Sequence, residues 1–269
     1  MTKNKITPIR KYFQSNGINL SYLDFGGNSE NILLVLHGHM NDARTFLDLA
    51  ARLKNWRVIG LDQRGHGWSD HSPTKDYSRE SYIEDIHQLI RTELDGQAVT
   101  ILGHSLGGIN AYQFAARYPA YVKAVIVEDI GVEIELDMSF VENFPERSTS
   151  LEELRESLIG MGVRAVDYFS ESVFQDEKGW GFRSDVKGIK SSQENVNGVW
   201  WDDWLASHCP MLLIYGRRSF VLDMDQAEQM ASRRPNTKLE VFENAGHGVH
   251  SDDPEGYFKV VQRFLEELK

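Results

Sequence analysis

The alternation of apolar and polar positions predicts a strand over residues 18–25, closed by a turn at Gly26-Gly27-Asn28-Ser29. The next run, Ile32-Leu33-Leu34-Val35-Leu36, has no polar position at all, the pattern of a parallel strand covered by helices on both faces. It leads directly into His37-Gly38-His39-Met40. A helix over about residues 42–53 follows, with Asp42 as its cap. Next come a strand over 57–61 and the glycine-rich segment Asp62-Gln63-Arg64-Gly65-His66-Gly67-Trp68-Ser69. Tyr82, Ile83, Ile86, Leu89 and Ile90 recur at helical spacing within 79–94. Further strands are predicted over 99–102, 124–127, 211–215 and 238–242, and further helices over 105–117, 226–233 and 254–268.

Strand, helix, strand and loop in this rhythm make an α/β fold with a mostly parallel central sheet and helices on both faces. A length of 269 residues suits one such domain. The rhythm breaks over 132–208, where no buried strand is predicted and glycines interrupt the helical pattern. That stretch reads as a helical insertion, which leaves 1–131 and 209–269 as the core. It is dense in aromatics: Phe169, Phe174, Trp180, Phe182, Trp200, Trp201 and Trp204. Most are expected to form the insertion's own small core, with Trp180, Trp200 and Trp204 as candidates for lining an apolar substrate pocket.

The candidate chemistry centres on Gly103-His104-Ser105-Leu106-Gly107, between a predicted strand and a predicted helix. Glycines without a Cβ let the two elements approach closely while the serine sits at a strained turn with its oxygen exposed. An alcohol is a poor nucleophile at neutral pH, so Ser105 requires a general base and a third group to orient that base. His247 is the candidate base, because it follows the last strand and the turn Asn244-Ala245-Gly246. His250 reads as a loop or supporting histidine. Neither His37 with His39 nor His247 with His250 has accompanying cysteines or carboxylates at ligand spacing, so no metal is expected.

Charge and composition narrow the partners. A net charge of −11, from 29 basic and 40 acidic residues without a basic run, argues against nucleic acid or an anionic membrane. The single cysteine, Cys209, excludes an internal disulfide and suits a reducing compartment, so a cytoplasmic location is the expectation. Residues 1–14 are polar and charged, which predicts no signal peptide, and no run approaches the roughly 20 apolar residues of a membrane span. The expected partner is a small-molecule substrate, with the chain a monomer or homodimer.

Several of these residues, in this order, resemble the α/β-hydrolase fold superfamily, and within it the small cap-bearing serine hydrolases of carboxylesterase type. The resemblance runs from His37 to Pro254. It rests on His37-Gly38, on the segment Asp62 to Ser69, on Gly103-His104-Ser105-Leu106-Gly107-Gly108, and on Gly246-His247 with Pro254 beyond it. It implies the α/β-hydrolase fold, a helical cap after the sixth strand, a Ser-acid-His triad, an oxyanion hole from the backbone amides of His39 and Leu106, and no cofactor. Asp62 and Arg64 are read as structural, tying their loop by an ion pair and hydrogen bonds.

The commoner arrangement in the family puts an aspartate just after the seventh strand, where this chain has Gly216-Arg217-Arg218-Ser219-Phe220-Val221 and no carboxylate. The family's second arrangement puts the acid at the end of the sixth strand, and Asp129 matches it. Strand alternation turns the neighbouring Glu128 the other way. Asp223 is the competitor, at a helix start where a carboxylate ordinarily serves as an N-cap. A serine nucleophile implies acyl transfer to water, with a small-to-medium ester carrying an apolar part as the first-choice substrate. Carbon-carbon bond, lactone, thioester or amide hydrolysis are alternatives, and a ligand-binding signalling receptor that retains the triad is the reading from another class.

Overall fold

A computed structural model describes residues 7–27, 30–163 and 166–268, so Asn28-Ser29 of the predicted turn lies outside the described residues. Eight strands form one sheet: β1 (Ile9–Ser15), β2 (Ile18–Asp24), β3 (Ile32–Leu36), β4 (Arg57–Asp62), β5 (Val99–His104), β6 (Val122–Glu128), β7 (Met211–Gly216) and β8 (Thr237–Phe242). Their spatial order is β1-β2-β4-β3-β5-β6-β7-β8. The pairings of β1 with β2 and of β2 with β4 are antiparallel, and the rest are parallel. Strand β1 has too few regularly spaced apolar positions to announce itself. It forms because its whole length pairs with β2.

The helices are α1 (Leu47–Arg52), α2 (Arg79–Glu93), α3 (Leu106–Arg117), α4 (Leu151–Gly160), α5 (Val166–Ser170), α6 (Val186–Val196), α7 (Trp201–Ala206), α8 (Met224–Arg233), α9 (Val249–Asp252) and α10 (Pro254–Glu267). The two-residue period of a strand sends Leu34 and Leu36 of β3 into one core with Ile86 and Leu89 of α2 and Ile109 and Phe114 of α3. It sends Leu33 and Val35 into the other core, with Leu49 of α1 and Val261 and Phe264 of α10. Both faces are covered, which is why β3 is apolar throughout. Each such side chain contributes about 1.5–3 kcal/mol on full burial, so the strand ends that carry the site rest on a fixed base.

Between β6 and β7 the chain leaves the sheet. Val141, Phe144, Leu154, Leu158, Phe169, Phe182 and Ile189 form a third cluster there, joined by Met40 from the turn after β3. Phe169 and Phe182 thus serve a local core, as the aromatic density suggested. The segment also contains a short antiparallel hairpin, Val173–Asp176 with Gly179–Phe182, that the sequence reading lacked. Its two ends behave differently: Val132, Ile134, Val196 and Trp204 belong to the main core. Among the described residues no helix is long and apolar enough to cross a membrane.

Candidate active site

The C-terminal ends of β3, β5, β6 and β7 converge with the segment after β8, the usual location of sites in open α/β sheets. Ser105 lies between β5 and α3 with φ 52° and ψ −117°. A Cβ on Gly103 would stand 2.0 Å from the Gly107 carbonyl oxygen, and one on Gly107 2.1 Å from that of Leu36, so the turn closes only with glycines. Met40 and Asp129 also hold left-handed backbones, at φ 65° and 52°. Each costs on the order of 1–3 kcal/mol, strain that persists where the surroundings over-determine it.

Asp129 is fully buried just past the end of β6. Its Oδ1 accepts the Gly216 N–H at 3.1 Å, and its Oδ2 accepts the Ser219 hydroxyl and lies 2.8 Å from His247 Nδ1. Burial drives the Asp129 carboxyl above its usual range, against the pull of His247, Ser219 and Gly216. Ser219 therefore bonds Asp129 from the place where the commoner family pattern has a carboxylate. The turn bearing His247 is fixed twice. His104 Nε2 donates to the His247 carbonyl at 2.9 Å, with the two rings 4.6 Å apart. A Cβ on Gly216 would stand 2.1 Å from the Gly246 oxygen. The residue before Ser105 thereby holds the backbone of His247. Asp223, the competing acid, caps α8 by accepting the Gln226 N–H at 2.8 Å.

Leu106 opens α3, so its amide is one of the first-turn donors with no intrahelical partner. Among the described residues no hydrogen bond engages the N–H of His39 or of Leu106. The His39 imidazole is occupied elsewhere: Nε2 meets Ser192 Oγ at 2.8 Å, which meets the Tyr82 hydroxyl at 2.8 Å. Burial, with help from the Arg79 charge, depresses the His39 pKa to about 3 and keeps the ring neutral.

Residues 31–254 match the family model described as the alpha/beta hydrolase fold. The chain belongs to the α/β-hydrolase family. This hydrolase is 28% identical over 250 residues to 2-(acetamidomethylene)succinate hydrolase of Mesorhizobium japonicum, covering 87% of this chain and 88% of that one. It is 24% identical over 260 residues to serine hydrolase BPHL of Mus musculus, covering 93% and 84% of the two chains. It shares its fold with the crystal structure of E-2-(acetamidomethylene)succinate hydrolase, at a TM-score of 0.83 and 23% identity over 97% of this chain and 100% of that one.

Among the three candidate tryptophans, Trp204 is where the sequence reading of the hydrolase needs correction. Trp204 is fully buried in the main core, edge-on to Tyr112 at 5.5 Å, with Nε1 donating to the Met230 carbonyl at 2.9 Å. A large indole between α7, α3 and α8 fills the core and cannot line a pocket. Trp200 donates Nε1 to the Val196 carbonyl at 2.8 Å, and the Trp180 backbone pairs with Ser148 in both directions at 2.8 Å. Among the described residues none of the three makes a hydrogen bond or ring contact with Ser105, His247 or Asp129. Beyond His104, the rings beside His247 are Tyr168 and Phe220, each with its centroid 5.7 Å away. Phe220 lies four residues beyond β7. Tyr168 had no signal in the sequence beyond its aromatic neighbourhood.

A second histidine-carboxylate pair lies next to the first. Glu128 Oε1 accepts both the His250 backbone N–H at 2.9 Å and His250 Nδ1 at 2.7 Å. Burial pushes the Glu128 carboxyl up, but the charges of His250 and His104 and the two hydrogen bonds outweigh it and leave the pKa about 2. Burial likewise pulls His250 down, and Glu128 with Glu171 overcomes it to give about 10. His104, Glu128 and His250 lie close enough to share a cation; His250 bonds Glu128 Oε1 directly, while Glu128 Oε2 and His104 Nδ1 are buried without a hydrogen-bond partner among the described residues. Asp62 and Arg64 are structural with separate partners: Asp62 accepts the Ala43 and Trp68 amides and pairs with Arg10, while Arg64 pairs with Asp85 at 2.7 Å.

Proposed function

We propose that this protein is a serine hydrolase that cleaves carboxylic esters, with Ser105 as nucleophile, His247 as general base and acid, and Asp129 as the group that orients His247. The observation that carries the reading is the 2.8 Å contact between His247 Nδ1 and buried Asp129, on a histidine whose carbonyl is bound to the residue preceding the strained Ser105. With Nδ1 given to Asp129, Nε2 is the nitrogen left to take the Ser105 proton. Ser105 Oγ then attacks the carbonyl carbon, and the oxyanion rests on the amides of His39 and Leu106. Such a donor contributes about 2.7–4 kcal/mol to the transition state. Collapse expels the alcohol, which takes its proton from His247. Water then attacks the acyl-enzyme with His247 as base, and the acid leaves.

Tyr168 and Phe220 beside His247 favour a substrate with an apolar part, and the segment between β6 and β7 acts as a cap over it. The test is steady-state hydrolysis of p-nitrophenyl esters of increasing chain length by the intact protein and by Ser105→Ala. Repeated turnover by the intact protein and its loss by at least about 10⁴-fold in the variant are expected. Cleavage limited to one equivalent per protein favours the signalling receptor instead. Turnover of amides without turnover of esters moves the bond class.

A further inference from the structure

The turn that carries His39 is held from the inserted segment at three consecutive residues. The Tyr168 hydroxyl donates to the His39 carbonyl at 2.8 Å. The Ser172 hydroxyl donates to the Met40 carbonyl. Asn41 Nδ2 donates to Glu171 Oε2 at 3.2 Å, an oxygen that Thr45 Oγ1 also reaches at 3.2 Å. The same Glu171 accepts the Ser251 hydroxyl and lies 3.8 Å from His250 Nε2, so it also grips the helix that follows His247.

The turn needs holding. Met40 sits at φ 65°, a conformation that a side chain longer than glycine's resists. Its side chain is pulled into the inserted segment's cluster with Phe144, Phe169 and Phe182. Gly38 completes the fit, since a Cβ there would stand 2.4 Å from Tyr168 Oη and 2.9 Å from His104 Nδ1. Three residues within 168–172 of the insertion thus tie the His39 turn to the His247 segment.

We infer that Tyr168, Glu171 and Ser172 are positioning residues that set the His39 amide for oxyanion binding, so that the site becomes competent only when the inserted segment is seated. The role assigned to His39 rests on the acyl-transfer reading above; the restraint of the turn does not. When the segment lifts to admit substrate, the three bonds part, Met40 relaxes, and one oxyanion donor loses its aim. Reseating over the bound substrate restores it. Entry and catalytic competence are then alternating states of one element.

The experiment uses the full chain with Tyr168→Phe, Ser172→Ala and the two combined, which remove hydroxyls and leave the aromatic packing in place. Ser172→Thr, which restores a hydroxyl, serves as the rescue. Amide exchange of residues 37–42 reads the restraint without any need for turnover, and is expected to accelerate at least about tenfold in the double variant while β7 stays unchanged. Steady-state kinetics on a p-nitrophenyl ester should show kcat falling by about 10²-fold or more with KM little altered, since removal of an oxyanion donor acts on the transition state. Affinity for a trifluoromethyl ketone, whose adduct carries an oxyanion, should fall in parallel and recover in Ser172→Thr. Unchanged exchange at 37–42, or a change confined to KM, overturns the inference. Faster exchange in a protein whose intact form turns over no ester upholds the clamp and sinks the acyl-transfer reading instead.

Discussion

Two histidine-carboxylate pairs stand side by side in this hydrolase, drawn from the same two places in the chain. Consecutive acids at the end of β6 meet histidines three residues apart after β8, at 2.8 Å for Asp129 with His247 and 2.7 Å for Glu128 with His250. Their surroundings separate them. His250 is walled by Phe46 and Tyr257, with ring centroids 5.6 and 6.0 Å away, and Glu128 binds both its ring and its backbone. His247 instead stands beside Phe220, which is 73% exposed. The His250 ring is held as a cation between Glu128 and Glu171, which under the reading proposed above leaves His247 as the base. Paired chemistry alone therefore does not mark a base; access does.

The comparison breaks most sharply at the two acids. Asp129→Asn is expected to lower kcat by about 10⁴-fold, the loss seen when the orienting acid of a comparable triad becomes an amide. Glu128→Gln should leave kcat within an order of magnitude and instead cost about 3–5 kcal/mol of stability, because one member of a buried pair is left uncompensated. Steady-state rates and denaturant unfolding of both variants, measured together, resolve the two effects. If both variants lose the same property, the division of labour between the pairs is wrong.

Acidity sharpens the same contrast at a smaller scale. His250 is held at about 10 against an ordinary 6.5, so its contribution to stability is complete below pH 6.5 and is lost as pH rises through 10. Glu128, at about 2 against 4.5, contributes fully above pH 4.5 and loses its contribution as pH falls through 2. The pair thus gives its full support between about pH 4.5 and 6.5. The melting temperature is expected to decline from pH 6.5 towards 10, with a flatter decline in His250→Gln. Equal slopes in the two proteins would remove the charged pair from the account.

Much of this arrangement was legible before any coordinates. The uniformly apolar Ile32–Leu36 and the glycines around Ser105 reflect local constraints, which sequence records directly, whereas Asp129 after β6 was singled out through the family resemblance. Other features depend on contacts between distant segments. Strand β1 exists through β2, Ser219 matters because Asp129 lies across from it, and Tyr168 reaches His39 over a separation of 129 residues. Trp204 misled for a related reason. An aromatic-rich insertion indicates burial but not against what, and Trp204 is buried against α3 and α8 rather than over the nucleophile.

The smallest effect concerns Asp223, and it decides between acids. Its carboxylate accepts the Gln226 N–H at 2.8 Å and caps α8, so Asp223→Ala removes one of the bonds that satisfy the helix's first-turn amides. A loss of about 0.5–2 kcal/mol in unfolding free energy with kcat unchanged is the expected result. Asparagine at the same position should recover most of that stability, since its amide oxygen can accept the same bond. The contrast with Asp129→Asn is then complete, because the same change from carboxylate to amide is tolerated where the group caps a helix and not where it must orient an imidazole. A collapse of kcat in Asp223→Asn with stability intact would transfer the role of acid to the seventh-strand side and leave Asp129 as a buried structural carboxylate.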